Sequence, residues 1–156
     1  METQTGVDPY WAAVTVWVVV NAVNLLQAAG FLSRVWTGTR AINQILGYVI
    51  VALAVPAAVA LIAFVRAGSG WLHIAGPAAF MAFVLLQVAV EYLWPVEFRS
   101  PARPEILVPY LLLFFGSILL MGLPMFRMDR RLWLVTVATT VLLLGSMGWA
   151  MRKGVG

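Results

Sequence analysis

Residues 41–65 read AINQILGYVIVALAVPAAVALIAFV and carry no charged side chain between Arg40 and Arg66. At 1.5 Å of rise per residue, a helix of about 25 residues crosses a hydrocarbon layer roughly 30 Å thick. The stretch lacks the alternation of apolar and polar residues that a membrane β-strand would show. Within lipid, a single segment satisfies its own backbone amides only as a helix. Residues 41–65 therefore predict a transmembrane helix, and Pro56 predicts a kink near 52–56 because it lacks a backbone N–H.

Four further charge-free runs of about 20 to 25 residues lie before and after this one. They are bounded by Asp8 and Arg34, Arg66 and Glu91, Glu105 and Arg127, and Arg131 and Arg152. We predict an all-α fold, a polytopic transmembrane helical bundle with five membrane-spanning helices at about 10–32, 41–65, 71–94, 106–125 and 132–151. Together they form a single transmembrane domain over residues 1–156.

The overall composition places the chain in the membrane class. It is 63% hydrophobic and 10% charged, whereas a soluble domain is nearer half apolar and a quarter charged. The first nine residues contain Glu2 and Asp8 but no Lys or Arg. A secretory signal peptide needs a positive N-terminal region, so we expect the first span to be retained.

Several classes of chemistry are excluded by composition. The chain has no cysteine, which removes disulfides, thiolate metal sites and cysteine nucleophiles. Its single histidine, His73, cannot form a multi-histidine metal site or a bis-histidine haem site alone, and we predict no metal and no cofactor. A retinal Schiff base would need a lysine within a span, and Lys153 lies in the tail. The net charge of +4 comes from Arg and Lys that flank spans, so we expect no nucleic-acid partner.

The first span carries polar side chains at helical spacing. Trp17, Asn21 and Asn24 fall within a narrow sector of one helix. Amides in the membrane either bond to a neighbouring helix or line a ligand pocket, and the sequence allows both. In the fifth span, Thr136, Thr139 and Thr140 share a side, and we expect their hydroxyls to bond the preceding turn of their own helix.

The third span has two different faces. His73, Gln87 and Glu91 lie on one side, because eighteen residues make five whole helical turns. The opposite side carries small residues and is expected to be a packing face: Ala75, Ala79, Ala82 and Ala89. His73 and Glu91 are about 27 Å apart along the helix axis, so they cannot pair with each other.

Glu91 is the one carboxylate that the charge pattern does not clearly place in water, because it lies in or near the third span. A carboxylate in or near a span costs several kcal/mol to bury, so it is by default a functional candidate or a paired structural group. It is followed by W-P-V-E-F-R-S-P-A-R-P at 94–104, a proline-rich charged loop that includes Trp94, Arg99 and Arg103. This loop is a candidate surface for a ligand or partner, or a solvated connector. Glu91 could equally pair with Arg99 at the interface.

We expect a non-catalytic membrane protein that binds or carries a small amphipathic or lipid-like ligand in a cleft between spans one and three. The candidate ligand-binding residues are Trp17, Asn21, Asn24, Gln87, Glu91, Trp94, Arg99 and Arg103. One alternative is an accessory subunit or homo-oligomeric scaffold of a membrane complex, docked through small-residue faces. Another is a lipid-modifying enzyme that uses Glu91. No catalytic residue is assigned, and membrane lipids are expected neighbours in every case.

Orientation follows from the basic residues that flank the spans. With the N-terminus outside, six basic residues lie inside and four outside. We therefore expect the N-terminus outside and the C-terminus in the cytoplasm. The cluster from Arg127 to Arg131 lies outside in this arrangement. That position requires neutralisation by a partner or by lipid head groups, or a span that is not a simple crossing.

Overall fold

The computed structural model describes residues 9–39, 41–96 and 103–155, and within these ranges five helices are long and apolar enough to cross a membrane. The helical elements are α1 (Tyr10–Thr37), α2 (Ala41–Ala52), α3 (Ala54–Ala67), α4 (Trp71–Gln87), a π-helical segment (Val88–Leu93), α5 (Pro104–Met128) and α6 (Arg130–Arg152). The second span comprises α2 and α3, and the third comprises α4 and the π-helical segment. The described residues contain no strand. The all-α prediction is confirmed, and the five helices fit a multi-pass integral membrane protein.

The helices of the first, fourth and fifth spans, which are α1, α5 and α6, extend beyond the predicted ranges. α1 continues to Thr37, where Gly38 adopts φ 67° and donates its N–H to Arg34 O. α5 begins with Pro104, and α6 begins directly after Asp129, which caps it. Charge-free runs mark the hydrocarbon layer, whereas helices continue into the interface, where charged side chains reach water. This difference explains the longer helices.

The second span is interrupted at Leu53, between α2 and α3. Pro56 cannot donate to the carbonyl one turn before it, and the next amide, that of Ala57, bonds Leu53 O at 3.3 Å. The interruption lies within the segment where the sequence predicts a kink. It separates α2, in which only Gly47 and Ile50 are buried, from the better packed α3.

Packing of the bundle is organised by two long helix pairs. α4 packs along α5, and α1 packs along α6. α1 also contacts α2, α3 and α5, and it is the most buried of the five spans. Aromatic side chains fill the core between α3, α4 and α5, with Phe83 in contact with both Tyr110 and Phe114.

Gly76 brings α4 and α5 into close contact. A Cβ atom at this position would lie 2.7 Å from the backbone nitrogen of Met121 and 2.9 Å from the carbonyl carbon of Leu120. Small residues allow membrane helices to approach in this way. The α4–α5 interface therefore depends on a glycine on the face that also carries Gln87.

The inward face of the third span is the polar one. Gly76, Phe80, Val84 and Gln87 are buried, and Glu91 is half-buried. Of the alanine face expected to pack, Ala75, Ala79 and Ala89 are partly buried and Ala82 is exposed. The close approach to α5 is made at Gly76, and Phe80, Phe83 and Val84 of the same helix are buried.

Candidate functional site

The polar residues of the first span contact the fifth span. The indole nitrogen of Trp17 donates to Leu132 O at 2.8 Å. Asn21 Nδ2 donates to Thr136 Oγ1 at 3.1 Å, and Asn21 Oδ1 accepts from Thr139 Oγ1 at 2.8 Å. These bonds join α1 to α6 in the apolar part of both helices. They account for the tight packing of this helix pair.

Asn24 continues the same cluster one turn further along α1. Its Nδ2 donates to Thr139 Oγ1 at 3.1 Å and to Thr140 Oγ1 at 3.0 Å. The Thr140 hydroxyl in turn donates to Thr136 O at 2.7 Å, so it offers only lone pairs to Asn24. This direction fixes the orientation of the amide, and Asn24 Oδ1 is buried with no hydrogen-bond partner in the part of the chain that the structure describes. We call Asn21, Asn24, Thr136, Thr139 and Thr140 the amide–threonine cluster.

The threonines therefore have two roles. Thr140 donates to the preceding turn of α6, as the sequence predicts, whereas the one hydroxyl proton of Thr139 serves either Asn21 Oδ1 at 2.8 Å or Thr136 O at 3.1 Å. Both hydroxyls also accept from Asn24 Nδ2. Of the two alternatives for the α1 amides, the structure shows interhelical bonding. The predicted cleft between spans one and three, with Trp17, Asn21 and Asn24 on one wall, is not formed, because α1 directs these side chains at α6.

Where α1 does approach α4, the surface is apolar apart from His73. A small cavity there is lined by Val16, Phe64, Pro77 and Met121, and it holds no more than about one water molecule. His73 contacts the Phe64 ring, with 5.2 Å between ring centroids. It lies at the opposite end of the third span from Glu91, so the two do not share a site.

Gln87 and Glu91 belong to a second polar region, at the end of the third span opposite to His73. Tyr110 on α5 donates its hydroxyl to Glu91 Oε1 at 2.9 Å. Glu91 lies in the π-helical segment, in which the Trp94 amide bonds Ala89 O, five residues earlier, at 2.8 Å. Pro95 follows with no N–H to continue regular helical bonding. Short π-helical turns within helices occur frequently at functional sites.

Gln87 lies one turn before Glu91 and is almost completely buried, with 2% of its surface exposed. Its Oε1 has no hydrogen-bond partner in the described structure. Gly47 on α2 makes room for this region, because a Cβ there would lie 2.7 Å from the Tyr92 hydroxyl and 3.6 Å from Gln87 Nε2. Tyr48 stacks on Tyr92 with ring centroids 4.9 Å apart. We call Tyr48, Gln87, Glu91, Tyr92 and Tyr110 the Glu91 cluster.

The outer part of this region is only partly described. Trp94 is 69% exposed and lies just after the π-helical segment. Arg103 is exposed immediately before α5. Arg99 lies outside the described residues. The structure thus brings Gln87 and Glu91 together with three tyrosines, Tyr48, Tyr92 and Tyr110, and separates them from Trp17, Asn21 and Asn24.

Sequence reasoning missed Tyr92 and Tyr110. Tyr110 is the only tyrosine in the fourth span, six residues after a proline-rich loop that already held the candidate residues. A phenol close in sequence to that loop and to Glu91 is the signal that could have identified it. Comparison with known protein families, curated proteins and solved structures gave no match to this chain.

Proposed function

We propose that this membrane protein binds a small amphipathic molecule whose head group donates hydrogen bonds to the Glu91 cluster. The observation that carries the proposal is Gln87 Oε1, a buried carbonyl oxygen with no hydrogen-bond partner among the described residues. Leaving such an acceptor unsatisfied costs about 1–3 kcal/mol. A ligand that supplies an N–H or O–H would recover that free energy.

The surroundings of Gln87 suit such a head group. Glu91 offers a carboxylate that Tyr110 holds in place, and the Tyr48–Tyr92 stack supplies an aromatic wall. Leu85 and Leu93 of the third span are exposed and lie close in sequence to Gln87 and Glu91. An apolar tail would lie against them. The ligand site is therefore proposed between the second, third and fourth spans, in place of the cleft between spans one and three.

Two single-chain amphiphiles provide a direct test. Dodecylammonium and dodecyltrimethylammonium have the same charge and chain, but only the first carries N–H donors. We expect the purified protein in mild detergent to bind dodecylammonium about tenfold more tightly, the equivalent of one well-made hydrogen bond. Gln87→Leu should reduce this preference, because only the Glu91 carboxylate then remains to accept from the ammonium group.

The matched control is Gln44→Leu, which makes the same change at an exposed position of α2. It should leave the preference unchanged. Equal binding of the two amphiphiles by the wild-type protein, or an unchanged preference in Gln87→Leu, would refute the proposal. Native mass spectrometry of gently extracted protein would show whether an endogenous amphiphile copurifies and is lost in Gln87→Leu.

A second candidate function is that of an accessory subunit or homo-oligomeric scaffold. The second span favours it, because this is the least buried of the five and exposes Ile45, Tyr48, Val55 and Val65. In this arrangement another membrane chain covers the span. The oligomeric state in mild detergent tests it, since a stable monomer that copurifies with no other chain contradicts it.

We further propose that the N-terminus is outside and the C-terminus cytoplasmic, on the basis of the six basic residues expected inside. Because the chain has no cysteine, single substitutions can be labelled without background. An impermeant maleimide applied to intact cells should label Met128→Cys and not Thr39→Cys, two exposed positions at opposite ends of the bundle. The reverse pattern would invert the topology.

A further inference from the structure

The connection between α5 and α6 concentrates positive charge at one end of the bundle. Arg127 near the end of α5 and Arg130 and Arg131 at the start of α6 flank this connection, and their side chains are all exposed. Asp129 is the only acid among them. This end is opposite to the one that holds the Glu91 cluster, because α5 runs from Pro104 to Met128 across the bundle.

The Asp129 carboxylate is engaged by the backbone. Its Oδ1 accepts the N–H of Arg131 at 2.8 Å and that of Leu132 at 3.3 Å, and so caps the N-terminus of α6. Within the described residues no carboxylate forms an ion pair with any of the three guanidinium groups. The arginines therefore present their charge outward.

Aromatic and aliphatic surface lies directly beside this charge. The Arg130 guanidinium lies 5.5 Å from the centre of the Phe126 ring, which in turn meets Trp133 edge-on at 5.0 Å. Leu123 and Leu134, one turn deeper along the two helices, are both exposed. A cationic layer thus lies next to an apolar one, as the head group and acyl chains of a lipid would require.

We infer that the α5–α6 connection is a binding site for an anionic phospholipid. Arg127, Arg130 and Arg131 bind the phosphate of a head group that carries no compensating positive charge, since guanidinium groups present several donors to phosphate oxygens. The acyl chains lie along Phe126 and Leu134. A soluble phosphate would gain nothing from this apolar surface, whereas the acyl chains of a lipid would be in contact with it.

The experiment is native mass spectrometry of the full chain, extracted gently and exposed to equal amounts of phosphatidylglycerol and phosphatidylcholine with identical acyl chains. We expect the wild-type protein to retain phosphatidylglycerol several-fold more than phosphatidylcholine. The triple variant R127Q/R130Q/R131Q should retain both equally. The lysine triple variant R127K/R130K/R131K should keep part of the preference, because it keeps the charge but loses the planar array of guanidinium donors.

The control is R152Q/K153Q, which removes two exposed charges at the other end of the bundle. It should leave the lipid preference unchanged, and circular dichroism with a thermal melt should show that all variants fold. Absence of a preference in the wild-type protein, its survival in the glutamine triple variant, or equal loss in R152Q/K153Q would overturn the inference. So would displacement of the bound lipid by millimolar inorganic phosphate, which would indicate recognition of a free anion.

Discussion

Tyr110 donates its hydroxyl to Glu91 across the interface between the fourth and third spans, with 2.9 Å between the oxygen atoms. The tyrosine is buried and the carboxylate half-buried. The bond ties the irregular π-helical end of the third span to the regular helix α5. Glu91 is therefore held by the fold itself, whatever else it binds.

Tyr110→Phe removes this bond and keeps the ring that contacts Phe83. We expect a loss of about 1–3 kcal/mol in the free energy of unfolding, because a buried phenol that donates to a carboxylate makes one of the stronger hydrogen bonds. Unfolding of the purified protein in mixed micelles measures it. Tyr48→Phe is the control, since Tyr48 contributes a stacked ring at an exposed position. A stability equal to that of the wild-type protein in Tyr110→Phe would contradict the prediction.

Gly76→Ala should destabilise the α4–α5 pair. The new methyl group would lie 2.7 Å from Met121 N, and backbone cannot move aside as the end of a flexible side chain can. Overpacking of this kind costs about 1–3 kcal/mol. Gly116→Ala on α5 meets no atom within 4 Å and should be neutral or stabilising in the same melt. If both variants melt alike, the close approach does not exist.

Asn24 and Thr140 should be energetically coupled. A double-mutant cycle with Asn24→Ala and Thr140→Val should give an interaction of about 0.5–1.7 kcal/mol, the range known for hydrogen bonds between membrane helices. The same cycle with Thr15→Val in place of Thr140→Val should give none, because the Thr15 hydroxyl bonds Trp11 O within α1. Additive effects of Asn24→Ala and Thr140→Val would show that the bond contributes nothing.

Asp129→Ala should shorten or destabilise α6 at its first turn. The substitution removes the acceptor of the Arg131 and Leu132 amides, and losing such a cap costs about 0.5–2 kcal/mol. Asp129→Asn keeps an acceptor in place and should retain most of the stability. Amide hydrogen exchange at the start of α6 reports the change locally. Equal protection of these amides in the alanine variant and in the wild-type protein would contradict the prediction.

Much of the architecture could be predicted from the sequence because the hydrocarbon layer imposes a simple rule on charge. Residues that cannot leave water, such as Arg66 and Arg152, mark the ends of apolar runs. The length of each run then predicts whether it spans the membrane as a helix. The same rule says nothing about where a helix ends within the interface. That is why α1 continues to Thr37 and α5 begins at Pro104.

The pairing of helices could not be predicted in the same way. The spacing of Asn21 and Asn24 showed that the two amides share a face of α1, but an amide bonds equally well to any neighbour with a hydroxyl or carbonyl group. The choice of α6 over α4 depends on packing of the whole bundle. Helical spacing likewise placed Glu91 in line with His73 and Gln87, and the π-helical segment then changes the angular spacing of that last turn.

The amide–threonine cluster also has a consequence for the order in which the protein is made. Its two halves are separated by more than one hundred residues of chain, as between Asn24 and Thr140. During synthesis α1 therefore enters the bilayer long before α6 leaves the ribosome. Until then its amides need other hydrogen-bond partners, which the insertion machinery, water or the helices from α2 to α5 can supply. The α1 amides reach their final hydrogen-bond partners only when α6 packs against α1.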